Sequence, residues 1–305
     1  MNRKVLILGA GGFIGGHLAK RLKAAGDNVT AVDIKRHTFY AIDEIADTYI
    51  IKDLRAISNV SAILDSSFDE VYQFAAEVGG AGYIFSGQND AAIMSNSGLI
   101  NINVAKVASA KRVKRLFFAS SSCAFPVPDG CYGLEKAFSE AMYQAFAVAS
   151  TTKFHIGRFQ NVYGTHDAIA TVRERFIIAV CRKIIQAEGE FIEVWGDGTQ
   201  LRSFIYVDDA LSAVIAQMRS DEMRPANIGN EQLIAVNEVA QALINISGRE
   251  LKITNVYGND FAQKYGYACP VGSQNKVVTN LSNKPISTKG LTHTYNWVKK
   301  QLNAD

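Results

Sequence analysis

Four side chains in the stretch FFASSSCAFPVPDGCYGLEK, residues 117 to 136, can move protons: Ser121, Cys123, Tyr132 and Lys136. Tyr132 and Lys136 are spaced i and i+4, so in a helix they share one face a turn apart. An ammonium beside a phenol stabilises phenolate, which makes Tyr132 a proton acceptor for oxidation of a carbinol, while Lys136 can also hold ribose hydroxyls. Ser121, at the end of the run RLFFASS with Ser122 next to it, offers a hydroxyl across the substrate oxygen. Tyr-x-x-x-Lys also arises by chance in ordinary helices, so the arrangement gains meaning only beside a site for a redox cofactor. Cys123 is open to two readings, a cysteine buried for packing or a thiol near enough to exchange a proton with the same substrate. Cys131, beside Tyr132, reads as a turn residue.

Such a cofactor site is legible at the N-terminus. The string GAGGFIG places glycines at 9, 12 and 15, with Phe13 and Ile14 between the last two. It follows an apolar run and opens an amphipathic segment. The first glycine permits a tight turn, the second lets a pyrophosphate approach the backbone, and the third lets helix and strand pack closely, with the phosphate at the positive helix end. Asp33 ends the second apolar run, eighteen residues after Gly15, where a carboxylate accepts the adenosine ribose hydroxyls of NAD. Its negative charge disfavours NADP, although Lys35 and Arg36 are close. Asp53, after the third run, is positioned to accept the adenine amino group.

These residues require elements that hold them. Strand-like runs KVLILG, NVTAVD, TYIIK, EVYQFAA, VKRLFFASS and KFHIGRF alternate with helical periods near 13–25, 59–66, 89–110 and 133–149. That alternation predicts an α/β fold, a Rossmann-type doubly wound parallel sheet, with the cofactor at the C-terminal ends of its strands. After about residue 165 the texture changes to a helix over RERFIIAVCRKIIQ, short strands near 191 and 204, and helices from 208 and over 236–247. The expected division is a NAD-binding domain at 1–165 and a smaller α/β substrate lobe at 166–305, with some segments returning to the main sheet.

Composition narrows the class. The 305 residues are 48% hydrophobic and 20% charged, as in a globular protein with a large core, and the net charge of +3 gives no basic stripe for nucleic acid. Cys123, Cys131, Cys181 and Cys269 form no C-x-x-C pair and have no histidine at zinc spacing, so no metal site and no disulfide framework are expected. Free thiols fit a reducing cytoplasm. The basic, apolar start MNRKVLILG resembles a signal peptide superficially, but it runs into the glycine turn as a buried strand would, and no later run is long enough to span a membrane.

The chain resembles the extended short-chain dehydrogenase/reductases that act on sugar nucleotides. The strings AAEVGGAGYI, SSSCAFP, YGLEK, GRFQNVYG, RERFIIAVCRK and WGDGTQLRSFIYVDD are similar to those of the GDP-mannose 3,5-epimerase family. That resemblance implies NAD-dependent oxidation at C4 of a nucleotide-linked sugar, favouring a GDP-sugar, and proton exchange at C3 and C5 beside the transient ketone. It implies that Cys123 exchanges the proton and that Asn161, Glu174, Lys183 and Arg202 contact substrate, with Gly79 and Gly80 giving the sugar close access to backbone amides. It also implies a homodimer through the helices of the Tyr-x-x-x-Lys region. A 4-keto sugar reductase of the GDP-fucose synthase type is the alternative, and a non-catalytic dinucleotide-binding protein is a third.

Three departures bear on the reaction. Arg175 stands where a second acid/base lysine belongs, and an arginine orients or neutralises an enolate but donates protons poorly. Inversion at only C3 or C5 is therefore expected, or a proton delivered by another group such as His166. The segment between Cys123 and Tyr132 is short, and Ser273 replaces a phosphate-binding arginine.

Overall fold

The computed structural model describes residues 2–256 and 286–303. Cys269 and Ser273 lie outside the described residues. The six long apolar runs form β1 (Lys4–Leu8), β2 (Asn28–Asp33), β3 (Thr48–Ile51), β4 (Glu70–Gln73), β5 (Arg115–Ser121) and β6 (Lys153–Phe159). Shorter strands follow: β7 (Asn161–Tyr163), β8 (Phe191–Trp195), β9 (Leu201–Arg202), β10 (Phe204–Tyr206), β11 (Ala226–Ile228), β12 (Ile234–Ala235) and β13 (Lys252–Val256). A seven-stranded sheet runs in the order β11-β6-β5-β4-β1-β2-β3, with all pairs parallel. The order reverses beside β1, which opens a crevice at the C-terminal ends of β1 and β4.

Period-2 alternation makes this sheet the wall between two cores. Val5 and Ile7 of β1 face α1 (Phe13–Ala24), while Leu6 and Leu8 face the opposite layer. Three short helices, α2 (Ile42–Ile45), α4 (Ala81–Ile84) and α5 (Asp90–Ala92), lie in connections. The opposite layer is built by α3 (Ile57–Ile63), α6 (Gly98–Ala110) and α7 (Gly130–Ala149), through Val60, Val104 and Tyr143. Strands buried on both faces have no polar alternation to show, which is why β1 reads as a continuous apolar run.

A third core joins α8 (Phe176–Gln186), β10, β8, α10 (Val236–Ser247) and α11 (Thr288–Leu302) through Ile178, Phe204, Ile192, Leu243 and Tyr295. Helix α9 (Val207–Arg219) itself packs under the main sheet with Leu211 and Val214, and β11 pairs with β6.

Two elements differ from the periodicity. The helix over 89–110 is interrupted by a π turn at Ile93–Ser97, where Ser97 accepts the Glu77 amide at 2.9 Å and Asn96 turns toward Glu77. The helix expected from Arg173 begins only at Phe176, because Arg173 to Arg175 are drawn into contacts with another loop. On α6 and α7, Val104 is buried, whereas Leu99, Leu134 and Phe138 are exposed. No helix among the described residues is long and apolar enough to cross a membrane.

Candidate active site

The glycine turn is shaped by contacts that forbid side chains. Gly9 has φ +90°, and a β-carbon there would stand 2.5 Å from the Ala75 nitrogen; one on Gly15 would overlap the Gly9 carbonyl. Gly12 differs, since a β-carbon on it would meet nothing nearer than the Gly9 oxygen at 3.4 Å, leaving its outer side free for a close ligand. Gly12 also caps α1 without a side-chain bond, and the first turn carries no acidic residue. The amides of Phe13, Ile14 and Gly15 thus open the helix with the dipole's positive end uncovered, which suits a pyrophosphate.

Asp33 ends β2 beside this turn. Its carboxylate accepts the Gly11 amide at 2.9 Å and the Lys35 amide at 3.1 Å, and burial pushes its pKa up against those donors. Asp53 is held by Arg55 at 2.7 Å, which keeps its carboxyl below the usual range. The cradle a side chain would fill at Gly12, the open helix start and the Asp33 carboxylate together fit a dinucleotide.

Strand β5 delivers Ser121 at the sheet's C-terminal edge, and a 3-10 turn at Ser122–Ala124 follows, with Ser122 buried and Cys123 half-buried. The Cys123 amide donates to the Ser121 hydroxyl at 3.2 Å. The Cys123 carbonyl accepts the Asp129 amide at 2.9 Å and presses on Gly133, where a β-carbon would overlap it. The short segment between Cys123 and Tyr132 therefore seats the cysteine turn directly against the first turn of α7.

On α7, Tyr132 and Lys136 are both buried, and the Lys136 ammonium is 5.7 Å from the Tyr132 ring centroid. Tyr132 hydrogen-bonds Ser121. Burial pushes the phenol's pKa up, and nearby Cys123 and Glu135 push the same way, while Ser121 and Arg175 oppose them. The structure thus brings Ser121, Cys123, Tyr132, Lys136 and Arg175 to one centre. Arg175 arrives from the segment that leads into α8, with its guanidinium 5.1 Å from the Phe13 ring of the glycine turn and ion-paired to buried Asp167.

The remaining substrate-side residues are already engaged. Asn161 donates its carboxamide nitrogen to the Ser203 carbonyl at 3.0 Å. Lys183 donates to the Glu193 carbonyl at 2.8 Å and faces the Trp195 ring, and burial lowers its pKa. Arg202 donates to its neighbour Leu201's carbonyl at 2.9 Å and its charge acts on Asp129.

Several of the expected residues have other partners in the structure. Glu174 does not project as a free contact residue; it forms a forked ion pair with Arg182 at 2.8 Å and accepts the Ala170 amide. Gly79 and Gly80 are each closely approached by another segment on the side where a β-carbon would stand. A β-carbon on Gly80 would overlap the Glu174 carbonyl, and one on Gly79 would meet Tyr83 and Arg173, so these glycines let two segments of the chain pack closely. His166 is stacked on Tyr40 at 4.4 Å and packed against Trp297, and burial lowers its pKa to about 4, so near neutral pH it is the uncharged imidazole and a poor proton donor.

Sequence reasoning passed over the partners that hold the site: Arg173, which grips Glu77, the Val78 carbonyl and Tyr83; Asp167; and Glu135, 3.3 Å from Lys136. Arg173 and Glu135 lie inside strings noticed for their neighbours, but nothing in those strings points to Glu77 or to Asn101.

GDP-mannose 3,5-epimerase 1 of Oryza sativa subsp. indica is 32% identical over 98% of this chain and 82% of that protein. GDP-mannose 3,5-epimerase of Arabidopsis thaliana is 32% identical over 99% of this chain and 83% of its own. The structure of UDP-glucose 4-epimerase with UDP-glucose from Thermotoga maritima shares the fold with a TM-score of 0.80 at 21% identity, covering 99% of this chain and 100% of that one. MoeE5 in complex with UDP-glucuronic acid and NAD has a TM-score of 0.77 at 25% identity, covering 98% of this chain and 99% of that one. Residues 5–229 match the model of the NAD dependent epimerase/dehydratase family. A match of that extent, over a chain whose glycine turn and Asp33 suit NAD, means that the protein belongs to the NAD dependent epimerase/dehydratase family and is an enzyme with NAD as its cofactor.

Proposed function

We propose that the protein is a nucleotide-sugar epimerase that works through a transient 4-keto sugar, with a GDP-hexose as substrate and inversion at C3 or C5 alone. The observation that carries this reading is the convergence of Ser121, Cys123 and Arg175 on the Tyr132–Lys136 pair. Gly12, the amides of Phe13, Ile14 and Gly15, Asp33 and Asp53 would hold NAD, with Tyr132 and Lys136 at its reactive end. NAD, when bound, supplies the acceptor and later the donor of hydride at C4.

The protein's own residues manage the protons. Tyr132 takes the C4 hydroxyl proton as its base, Ser121 hydrogen-bonds the same oxygen, and Lys136 steadies the phenolate. The ketone then acidifies the adjacent carbon-bound hydrogen, and the Cys123 sulfur takes that proton. Arg175 holds the enolate oxygen, since a guanidinium stays charged and cannot serve as an acid. Solvent returns the proton on the opposite face, and Tyr132 gives its proton back as C4 is reduced. The seating of Arg175 between Asp167 and the Phe13 ring supports a reaction confined to one centre. Lys183, Arg202 and Asn161 would meet the diphosphate once their backbone bonds are exchanged for it.

On this reading 1–165 binds NAD and 166–305 mainly binds the sugar, with α9 and β11 returning to the main sheet. A homodimer through α6 and α7 is supported by Leu99, Leu134 and Phe138, each about half exposed on one apolar face, and sedimentation at micromolar concentration tests it. Three free cysteines among the described residues suit the cytoplasm.

The deciding experiment is incubation with GDP-mannose and a panel of other nucleotide sugars in D2O without added reductant, read by NMR and mass spectrometry. Deuterium at one of C3 or C5, with NAD unchanged overall, is expected. Turnover only of 4-keto sugars with NADH or NADPH would instead establish a reductase.

A further inference from the structure

Lys136 has a neighbour besides Tyr132. The Glu135 carboxylate lies 3.3 Å from its ammonium, and both side chains are almost wholly buried, at 1% and 3% exposure. One Glu135 oxygen is fixed from two elements: Asn101 of α6 donates to it at 2.9 Å and Ser139 of α7 at 2.7 Å. Asn101 is itself held by Gln73 at the end of β4, at 3.0 Å, and by the Tyr143 hydroxyl at 3.3 Å. The other oxygen accepts no hydrogen bond and faces the ammonium alone. Tyr132, Glu135, Lys136 and Ser139 stand at i, i+3, i+4 and i+7, so the pair shares the face that carries the phenol.

A buried carboxylate is expensive unless its charge is matched, and so is a buried ammonium. Here each matches the other. Arg175, the second cation at the site, is matched by Asp167. The two charged groups that act on the phenol, Glu135 and Arg175, therefore each have a counter-ion, in Lys136 and Asp167.

We propose that Glu135 is a positioning residue that fixes the Lys136 ammonium and balances its charge, so that Tyr132 keeps its proton until oxidised cofactor adds a further positive charge. The base strength of Tyr132 then depends on what is bound beside it, and the phenolate is not formed in an empty site. The inference rests on the reading of Tyr132 as the C4 base. Its physical content is the ionisation of one phenol, which is measurable without any sugar.

The test is the phenolate absorbance of Tyr132 against pH, isolated by subtracting each protein's Tyr132→Phe counterpart, with and without NAD. Glu135→Gln keeps the shape and removes the charge. The phenolate should appear about one pH unit lower than in the wild type. Glu135→Asp, which draws the carboxylate back by one methylene, should give a smaller displacement in the same direction and keeps the test available if the first variant does not fold. An unchanged or raised onset would overturn the proposal. So would a drop in thermal stability with an unmoved phenolate onset, which would make Glu135 only a tie between α6 and α7. Failure of every nucleotide sugar to turn over would remove the epimerase reading and leave this titration intact.

Discussion

The α-carbon of Gly80 faces the backbone carbonyl of Glu174 so closely that a single added methyl group would overlap it. The Gly80 amide meanwhile donates to the Arg173 carbonyl at 3.0 Å, and the Arg173 guanidinium lies 4.5 Å from the Tyr83 ring. Two segments far apart in sequence are thus sewn together at the rim of the site, immediately before Arg175.

This contact predicts the behaviour of Gly80→Ala. The methyl group must push the 77–84 loop away from 173–175, at a cost of about 1–3 kcal/mol for overpacking. Arg175 loses its fixed approach to the site, and kcat/KM should fall by at least about tenfold, roughly the effect of 1.4 kcal/mol. Hydrogen exchange should quicken in both segments together, and faster exchange in only one of them would show that they are not coupled.

Tyr132→Phe removes the phenolic oxygen and little else. Turnover should drop on the order of a thousandfold, as expected for loss of a general acid/base. NAD affinity should change little, because the glycine turn and Asp33 are untouched. Retention of near-normal turnover would show that Tyr132 is not the C4 base.

Cys123→Ser separates the two halves of the reaction. Reversible oxidation at C4 depends on Ser121, Tyr132 and Lys136, so transient NADH absorbance with substrate should survive. Deuterium entry at carbon should fall on the order of a hundredfold or more, since a hydroxyl is a far weaker base than a thiol-derived sulfur. Full exchange in the variant would make Cys123 a packing residue.

Stability should depend on pH through buried histidines. His37, His155 and His166 have an ordinary value of 6.5 that burial lowers to about 4 in the folded protein. Between those values the unfolded chain binds protons that the folded one does not, so stability is complete above pH 6.5 and is lost as pH falls toward 4. Tm at pH 5 should lie roughly 5 °C or more below that at pH 7.5. His166→Phe, which keeps a ring against Tyr40 and Trp297, should flatten the dependence; an unaltered slope would mean that His166 is not one of the groups responsible.

Much of the scaffold is local and was therefore readable from the chain alone. Steric limits on the backbone act over a few residues, so the glycine turn, the strand runs and the shared face of Tyr132 and Lys136 follow from short strings. Asp33 falls in place because the turn and β2 are adjacent parallel elements. What tertiary structure alone decided is which charges meet. Arg173 finds Glu77 across 96 positions, Asn101 finds Glu135 across 34, and Arg175 finds Asp167 rather than solvent. A carboxylate in sequence carries no mark of burial, and the cost of burying it is met only by a partner that folding brings near. The same holds for Gly79 and Gly80, where the sequence offered two residues without side chains and only the approach of residues 173–174 explains why.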